Sequence, residues 1–159
     1  RISALRTWPS STITTSIGWT SSEAPVFIDT GYVLALVNSA DRYHERARAS
    51  AQAVDGPFAI TEAVLVEVGN ALSRTRWRQL AIDTLRDLRT DPGIEVIPVD
   101  ADLFERAFEL YASRTDKEWG LTDCISFVLM SERGLGQALT TDRDFEQAGF
   151  QNALVELSG

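Results

Sequence analysis

The feature that most restricts what this chain can fold into is an alternation. Short apolar runs, VFID (26–29), FAIT (58–61), IEVIPV (94–99) and QALTT (137–141), are separated by longer stretches with helical spacing. Runs this short and this continuously apolar read as strands buried on both faces, the habit of parallel sheets. Parallel neighbours need a crossover, usually a helix. The alternation therefore predicts an α/β domain, a three-layer α/β/α sandwich around a mostly parallel sheet of five strands, with the fifth at 153–157.

The intervening helices have readable limits. Segments 31–38, 41–54 and 62–74 are helical, the last with Val64, Leu65, Val68, Ala71 and Leu72 on one face. A helix over 77–89 is closed by Asp91-Pro92-Gly93. Asp100 caps a helix to about Arg114, with Leu103, Phe104, Ala107, Phe108 and Tyr111 as its expected inner face. The stretch GLTDCISFVLM (120–130) opens a largely apolar helix that ends at Gly134, and a short helix is expected over 142–148. Residues 25–159 form the predicted domain. Residues 1–24, rich in Ser and Thr, are expected to be a loosely packed arm with no catalytic role.

Composition narrows the chemistry. At 159 residues, 44% of them hydrophobic and 24% charged, the chain suits one domain with a sizeable core. No apolar run approaches the roughly 20 residues of a membrane span, so no membrane partner is expected. Cys124 is the only cysteine and lies in the apolar helix, which suits a reducing, cytoplasmic setting. One cysteine and one histidine, His44, argue against a zinc site and against histidine-based nucleophilic catalysis. No glycine-rich dinucleotide or P-loop signature occurs. The net charge of −8 and pI of about 4.6 speak against a broad basic nucleic-acid surface. Positive charge is local instead. Arg74, Arg76 and Arg78 surround Trp77, a combination suited to RNA stacking or partner contact, and Arg42, Arg46 and Arg48 form a second patch.

Four carboxylates sit beside apolar sequence, where a bare charge is costly unless paired, hydrogen-bonded or bound to metal. Asp29 ends the first strand, and Asp142 follows the fourth. Asp123 lies in the first turn of the apolar helix, after Thr122, and Glu67 lies on a helix three residues before Asn70. Each has a structural alternative: a helix cap for Asp29 or Asp142, a favourable helix-dipole position for Asp123, an arginine partner for Glu67. Asp144 fits a capping box begun by Thr141. Ligands of open parallel sheets bind at the carboxyl ends of the strands, and three of these acids are expected to point to that edge. Two carboxylates about 5 Å apart repel by about 3 kcal/mol at an effective dielectric near 20, so such a cluster calls for protons or cations. An oxygen-only donor set suits Mg²⁺ or Mn²⁺ and the hydrolysis of phosphodiesters.

The pattern FIDT…EVGNAL…LTDCISF…TTDRDF, spread over 26–157, resembles PIN-domain ribonucleases, especially the VapC-type toxins of bacterial toxin–antitoxin pairs. The resemblance implies strand order 3-2-1-4-5 and an acidic quartet of Asp29, Glu67, Asp123 and Asp142 holding Mg²⁺ or Mn²⁺ and cutting RNA. Thr30, Asn70, Thr122, Thr141 and Asp144 are implied supporting residues. It also implies a homodimer and an antitoxin that covers the acidic site, and Tyr32, Leu36 and the helices over 41–54 and 62–89 are expected to contribute to a partner groove. Three alternatives stand beside it. A haloacid-dehalogenase-type phosphohydrolase would want a second acid two residues after Asp29, where Gly31 stands. A receiver domain would want a Lys after the last core strand, but the only Lys is Lys117. A degenerate PIN domain would bind RNA or protein without cutting.

Overall fold

The computed structural model describes residues 24–157. Its strands are β1 (Val26–Ile28), β2 (Phe58–Thr61), β3 (Ile94–Ile97), β4 (Gln137–Leu139) and β5 (Gln151–Asn152). They form one sheet in the order β3-β2-β1-β4-β5, and every pairing is parallel. Both faces of β1 and β2 are buried, which is why their sequences are apolar runs rather than alternating ones.

Helices fill the crossovers: α1 (Thr30–Val37), α2 (His44–Ala53), α3 (Glu62–Ala71), α4 (Arg78–Thr90), α5 (Ala101–Ser113), α6 (Leu121–Arg133) and α7 (Asp144–Gln147). The chain builds β1 to β3 outward in one direction, then returns past β1 to add β4 and β5. Right-handed crossovers consequently place α1–α4 on one face and α5–α7 on the other. The reversal falls between β1 and β4, the place where an open α/β sheet leaves a crevice at its carboxyl edge. Phe27 of β1 stacks on Phe145 of α7, which meets Phe127 of α6 edge-on, so the elements bordering that crevice share one aromatic core.

Side chains cap two helix starts, the expected Asp100 and, unforeseen, Thr61. Thr61 Oγ1 accepts from Val64 N–H at 3.2 Å, and Asp100 Oδ1 accepts from Leu103 N–H at 2.8 Å. Gly134 ends α6 at φ 69°, a left-handed position that suits glycine.

Several expectations are corrected. On α5, Leu103 and Ala107 face inward, but Phe104, Phe108 and Tyr111 are 44%, 46% and 47% exposed. Both stripes follow i, i+4, i+7 spacing, so periodicity alone cannot choose between them; packing against α6 selects Leu103, Ala107 and Leu110. The last strand is Gln151–Asn152, earlier than the apolar run at 153–157. That run is tied down by α2 instead: Arg46 Nε donates to the Val155 carbonyl at 3.0 Å and Val155 N–H to Ser50 Oγ at 2.8 Å. Tyr32 and Leu36, expected at a partner groove, are largely core residues, 6% exposed each. The expected arm, residues 1–24, lies outside the described residues except for its last.

Candidate functional site

Asp29 leaves β1 at the crevice and stands at the N-cap of α1, but its side chain does not cap that helix. Its Oδ2 accepts a hydrogen bond from Thr140 Oγ1 at 2.8 Å, just beyond β4. The same hydroxyl accepts from Asp142 N–H at 2.9 Å, and Asp142 Oδ1 accepts from Asp144 N–H at 2.9 Å. One fully buried threonine thus fixes the carboxylate ending β1 against the turn that carries two more. The capping box expected from Thr141 does not form: α7 begins at Asp144, and Asp142 occupies the amide. Thr141 has a steric role instead, because a Cβ on Gly31 would lie 2.2 Å from Thr141 Oγ1. The first turn of α1 can approach β4 this closely only with glycine there.

Asp123 reaches the crevice from the opposite layer. It is the third residue of α6, and its Oδ2 accepts from Gly120 N–H at 2.8 Å. This is the returning half of a capping box, and Gly120 has no side chain to supply the other half. Asp123, Asp142 and Asp144 each present a carboxylate oxygen, all within 4.8 Å of one another. Glu67 stands at the edge: it is exposed on α3, and its charge reaches Asp123.

The electrostatics follow from crowding and burial. Asp29, 5% exposed, has its carboxyl pushed up to about 7, chiefly by burial and further by the charges of Asp123 and Asp142, while its hydrogen bonds to Thr140 and the Thr30 backbone pull it down. Burial also raises Asp123, to about 6; the Gly120 amide opposes the shift, and Asp142, Glu67 and Asp144 add to it. Asp144 is raised as well, by desolvation first, then by Asp142 and Glu118, with Lys117 acting the other way. Carboxylates that resist ionisation when empty are stabilised as anions by a bound cation. The donors are all oxygen, which suits a hard divalent cation. Soft or imidazole donors do not compete: His44 Nδ1 donates to the Ala35 carbonyl at 2.8 Å, and burial pushes the Cys124 thiol up to about 11.

The remaining sequence candidates divide. Thr30 is buried beside Asp29, and its hydroxyl has no hydrogen-bond partner among the described residues. Thr122 is half-buried next to Asp123, and its carbonyl accepts from Ser126 Oγ at 3.0 Å. Asn70 is exposed one turn beyond Glu67. The basic segment is a 3-10 turn (Thr75–Trp77) after α3. There Arg76 lies 5.3 Å from the centroid of the half-buried Trp77 ring, while Arg78 donates twice to the Ser73 carbonyl, at 3.2 and 2.7 Å. Arg74 and Arg76 are exposed, and Arg78 holds the turn together. No hydrogen bond or ion pair among the described residues joins this segment to the acidic crevice. Thr140 is the residue that sequence reasoning missed, since attention fell on its neighbour Thr141. Strand alternation was the available signal, because adjacent residues leaving β4 point to opposite sides.

Comparison with known proteins agrees with this geometry. The PIN domain family profile matches residues 26–151. The 23S rRNA-specific endonuclease VapC20 of Mycobacterium tuberculosis, in strains CDC 1551 / Oshkosh and ATCC 25618 / H37Rv, is 30% identical over 125 residues, which cover 79% of this chain and 95% of the relative. The crystal structure of M. tuberculosis VapC20, described as a sarcin-ricin loop cleaving toxin, superposes with a TM-score of 0.74 at 29% identity, over 79% of this chain and 95% of that one. With the family profile matched over residues 26–151 and a relative 30% identical over 95% of its length, the chain belongs to the PIN-domain family.

Proposed function

We propose that this chain is a divalent-metal-dependent endoribonuclease and the toxin of a VapC-type toxin–antitoxin pair. The observation that carries the reading is the trio of Asp123, Asp142 and Asp144, with oxygens within 4.8 Å of one another, flanked by Asp29 on its threonine hydrogen bond. Asp29, Asp123 and Asp142 hold the cation, Glu67 closes the site from α3, and Asp144, which sequence reasoning gave a supporting place, joins the ligands. Mg²⁺ and Mn²⁺ both fit an oxygen donor set; the chemistry either supplies when bound is activation of a water for attack on the phosphodiester and neutralisation of charge on the leaving oxygen.

The protein's own groups do the positioning. Thr140 orients the Asp29 carboxylate and fixes the backbone of Asp142, and the first turn of α6 orients Asp123 through the Gly120 amide. Ligands held from behind in this way are already arranged when metal and substrate arrive. Thr30, whose hydroxyl is unpartnered, is available to a water or ligand beside Asp29. The substrate is RNA, and because the VapC20 relatives are named for 23S rRNA, that RNA is the first to offer. The cognate antitoxin is a protein that places a cation in the acidic crevice. The active form is a cytoplasmic homodimer of a domain that starts near residue 25, with residues 1–24 outside the chemistry.

The test is cleavage of a mixed RNA substrate that includes the 23S sarcin-ricin loop, with Mn²⁺, with Mg²⁺ and with EDTA. Cleavage lost both in EDTA and in Asp29→Asn supports the reading. A folded protein that cuts nothing, with no metal-induced rise in Tm, would instead be an adaptor that binds RNA or protein.

A further inference from the structure

The loop between α5 and α6 brings the chain's only lysine against α7, the helix that opens with Asp144: Lys117 Nζ lies 3.4 Å from Gln147 Oε1 at its other end. A turn fixes its backbone: Lys117 N–H donates to the Arg114 carbonyl at 3.0 Å. Two cations from that turn share one aromatic platform, with the Arg114 guanidinium 4.9 Å and the Lys117 ammonium 5.9 Å from the Trp119 ring centroid. The platform is rigid, because Trp119 is buried and meets Phe127 of α6 edge-on at 5.0 Å.

The two cations differ in what engages them. Arg114 forks onto Asp116 through hydrogen bonds of 2.8 and 2.9 Å. Lys117 forms no ion pair among the described residues, and its hydrogen bond to Gln147 Oε1 is long, at 3.4 Å. Its charge nevertheless reaches Asp144. An ammonium held by loop and ring, beside carboxylates yet bound by none, retains its capacity for an anion. RNA approaching Asp144 from this side meets a protein of net charge −8, so a cation there that no carboxylate engages is consequential. Arg143, exposed between Asp142 and Asp144, is a second such cation among the described residues.

Resting on the nuclease reading above, we propose that Lys117 binds a backbone phosphate of the RNA and draws the strand onto the acidic crevice. It is a substrate-positioning contact and takes no part in holding the metal.

The experiment measures binding of a fluorescent polyuridine oligomer at a fixed low Mn²⁺ concentration over a series of KCl concentrations. The proteins are Asp29→Asn alone and the same variant carrying Lys117→Ala or Lys117→Arg. The slope of log affinity against log salt is expected to shrink by about 0.7 in Lys117→Ala, the share of one single-strand phosphate, and to persist in Lys117→Arg. In the otherwise wild-type protein, Lys117→Ala should leave the Mn²⁺-induced rise in Tm unchanged. An unchanged slope overturns the assignment, as does absence of RNA binding in all three proteins. Loss of the Mn²⁺ response overturns it too, since the lysine would then be shaping the carboxylates. Wild-type cleavage assayed in parallel separates the two readings. Metal-dependent cleavage with an unchanged slope removes only the lysine contact; a shrunken slope without cleavage removes the nuclease and keeps the phosphate contact.

Discussion

Asp29 and Glu67 are matched by motif to one quartet, yet the fold treats them in opposite ways. Asp29 is buried at a strand end, hydrogen-bonded by Thr140 and crowded by two other acids. Glu67 is exposed on α3, with no hydrogen bond or ion pair from its side chain among those described, and touches the cluster only through its charge. The strand-end acid is pre-positioned at a cost in electrostatic free energy; the helix acid is left in solvent. A site built this way has a fixed half and an exposed half, and the difference can be measured.

The largest effect should come from the fixed half. Asp29→Asn is expected to lower RNA cleavage by more than the roughly 100-fold typical of outer-shell changes, with the fold retained by circular dichroism. An active Asn variant would falsify its place in the site. Thr140→Val comes next: it leaves Asp29 buried without its donor, which should weaken Mn²⁺ affinity by about 10- to 100-fold and reduce stability by about 1–3 kcal/mol. Calorimetric titration and urea unfolding read the two effects separately.

Protonation sharpens the contrast further. In the folded metal-free protein Asp29 holds its proton up to about 7, against 3.8 for an ordinary aspartate. The stability that this group contributes is present in full below its unfolded pKa and is lost as pH rises through its folded one. Metal-free Tm should therefore fall between about pH 4 and pH 7, with Asp123, raised to about 6, contributing to the same decline. Divalent metal should recover more stability at the upper end of that window, and Asp29→Asn should flatten the decline. A metal-free Tm that climbs across the window would contradict the assignment. The smallest effect belongs to the exposed half: Glu67→Gln should change metal-free stability by no more than about 0.5 kcal/mol, easing only the small part of the Asp123 shift that its charge supplies. A larger change would mean that Glu67 is bound into the crevice after all.

The first four strands were legible because continuous apolar runs buried on both faces have few alternatives. The order of the sheet came only with the family resemblance, and the fifth strand, two residues long and partly exposed, was misplaced. Asp29, Asp123 and Asp142 were legible for a related reason, since each interrupts sequence that should be dry. What escaped reading depended on rotation by a single residue. Thr140 and Thr141 are chemically identical neighbours, and only the pleat decides which one turns toward Asp29. The two stripes of α5 differ by one helical step, and only contact with α6 decides which is inside. Asp144 was assigned a capping role because its spacing from Thr141 fits that motif, but the turn after β4 instead uses Asp142 to bind the Asp144 amide. Local pattern restricts candidates to a few; tertiary contact selects among them.

Gly31 also limits what this scaffold can evolve into. With Thr141 Oγ1 only 2.2 Å from where a Cβ would project, the position two residues past Asp29 has no room for a side chain unless Thr141 gives way. Aspartyl-phosphate chemistry of the haloacid-dehalogenase kind would want a second acid there. A lineage starting from this chain would have to move the Thr141 hydroxyl at the same time, because the newcomer and Thr141 Oγ1 would contest the same volume. Steric clearance at one glycine thus weighs against a second carboxylate being added beside Asp29.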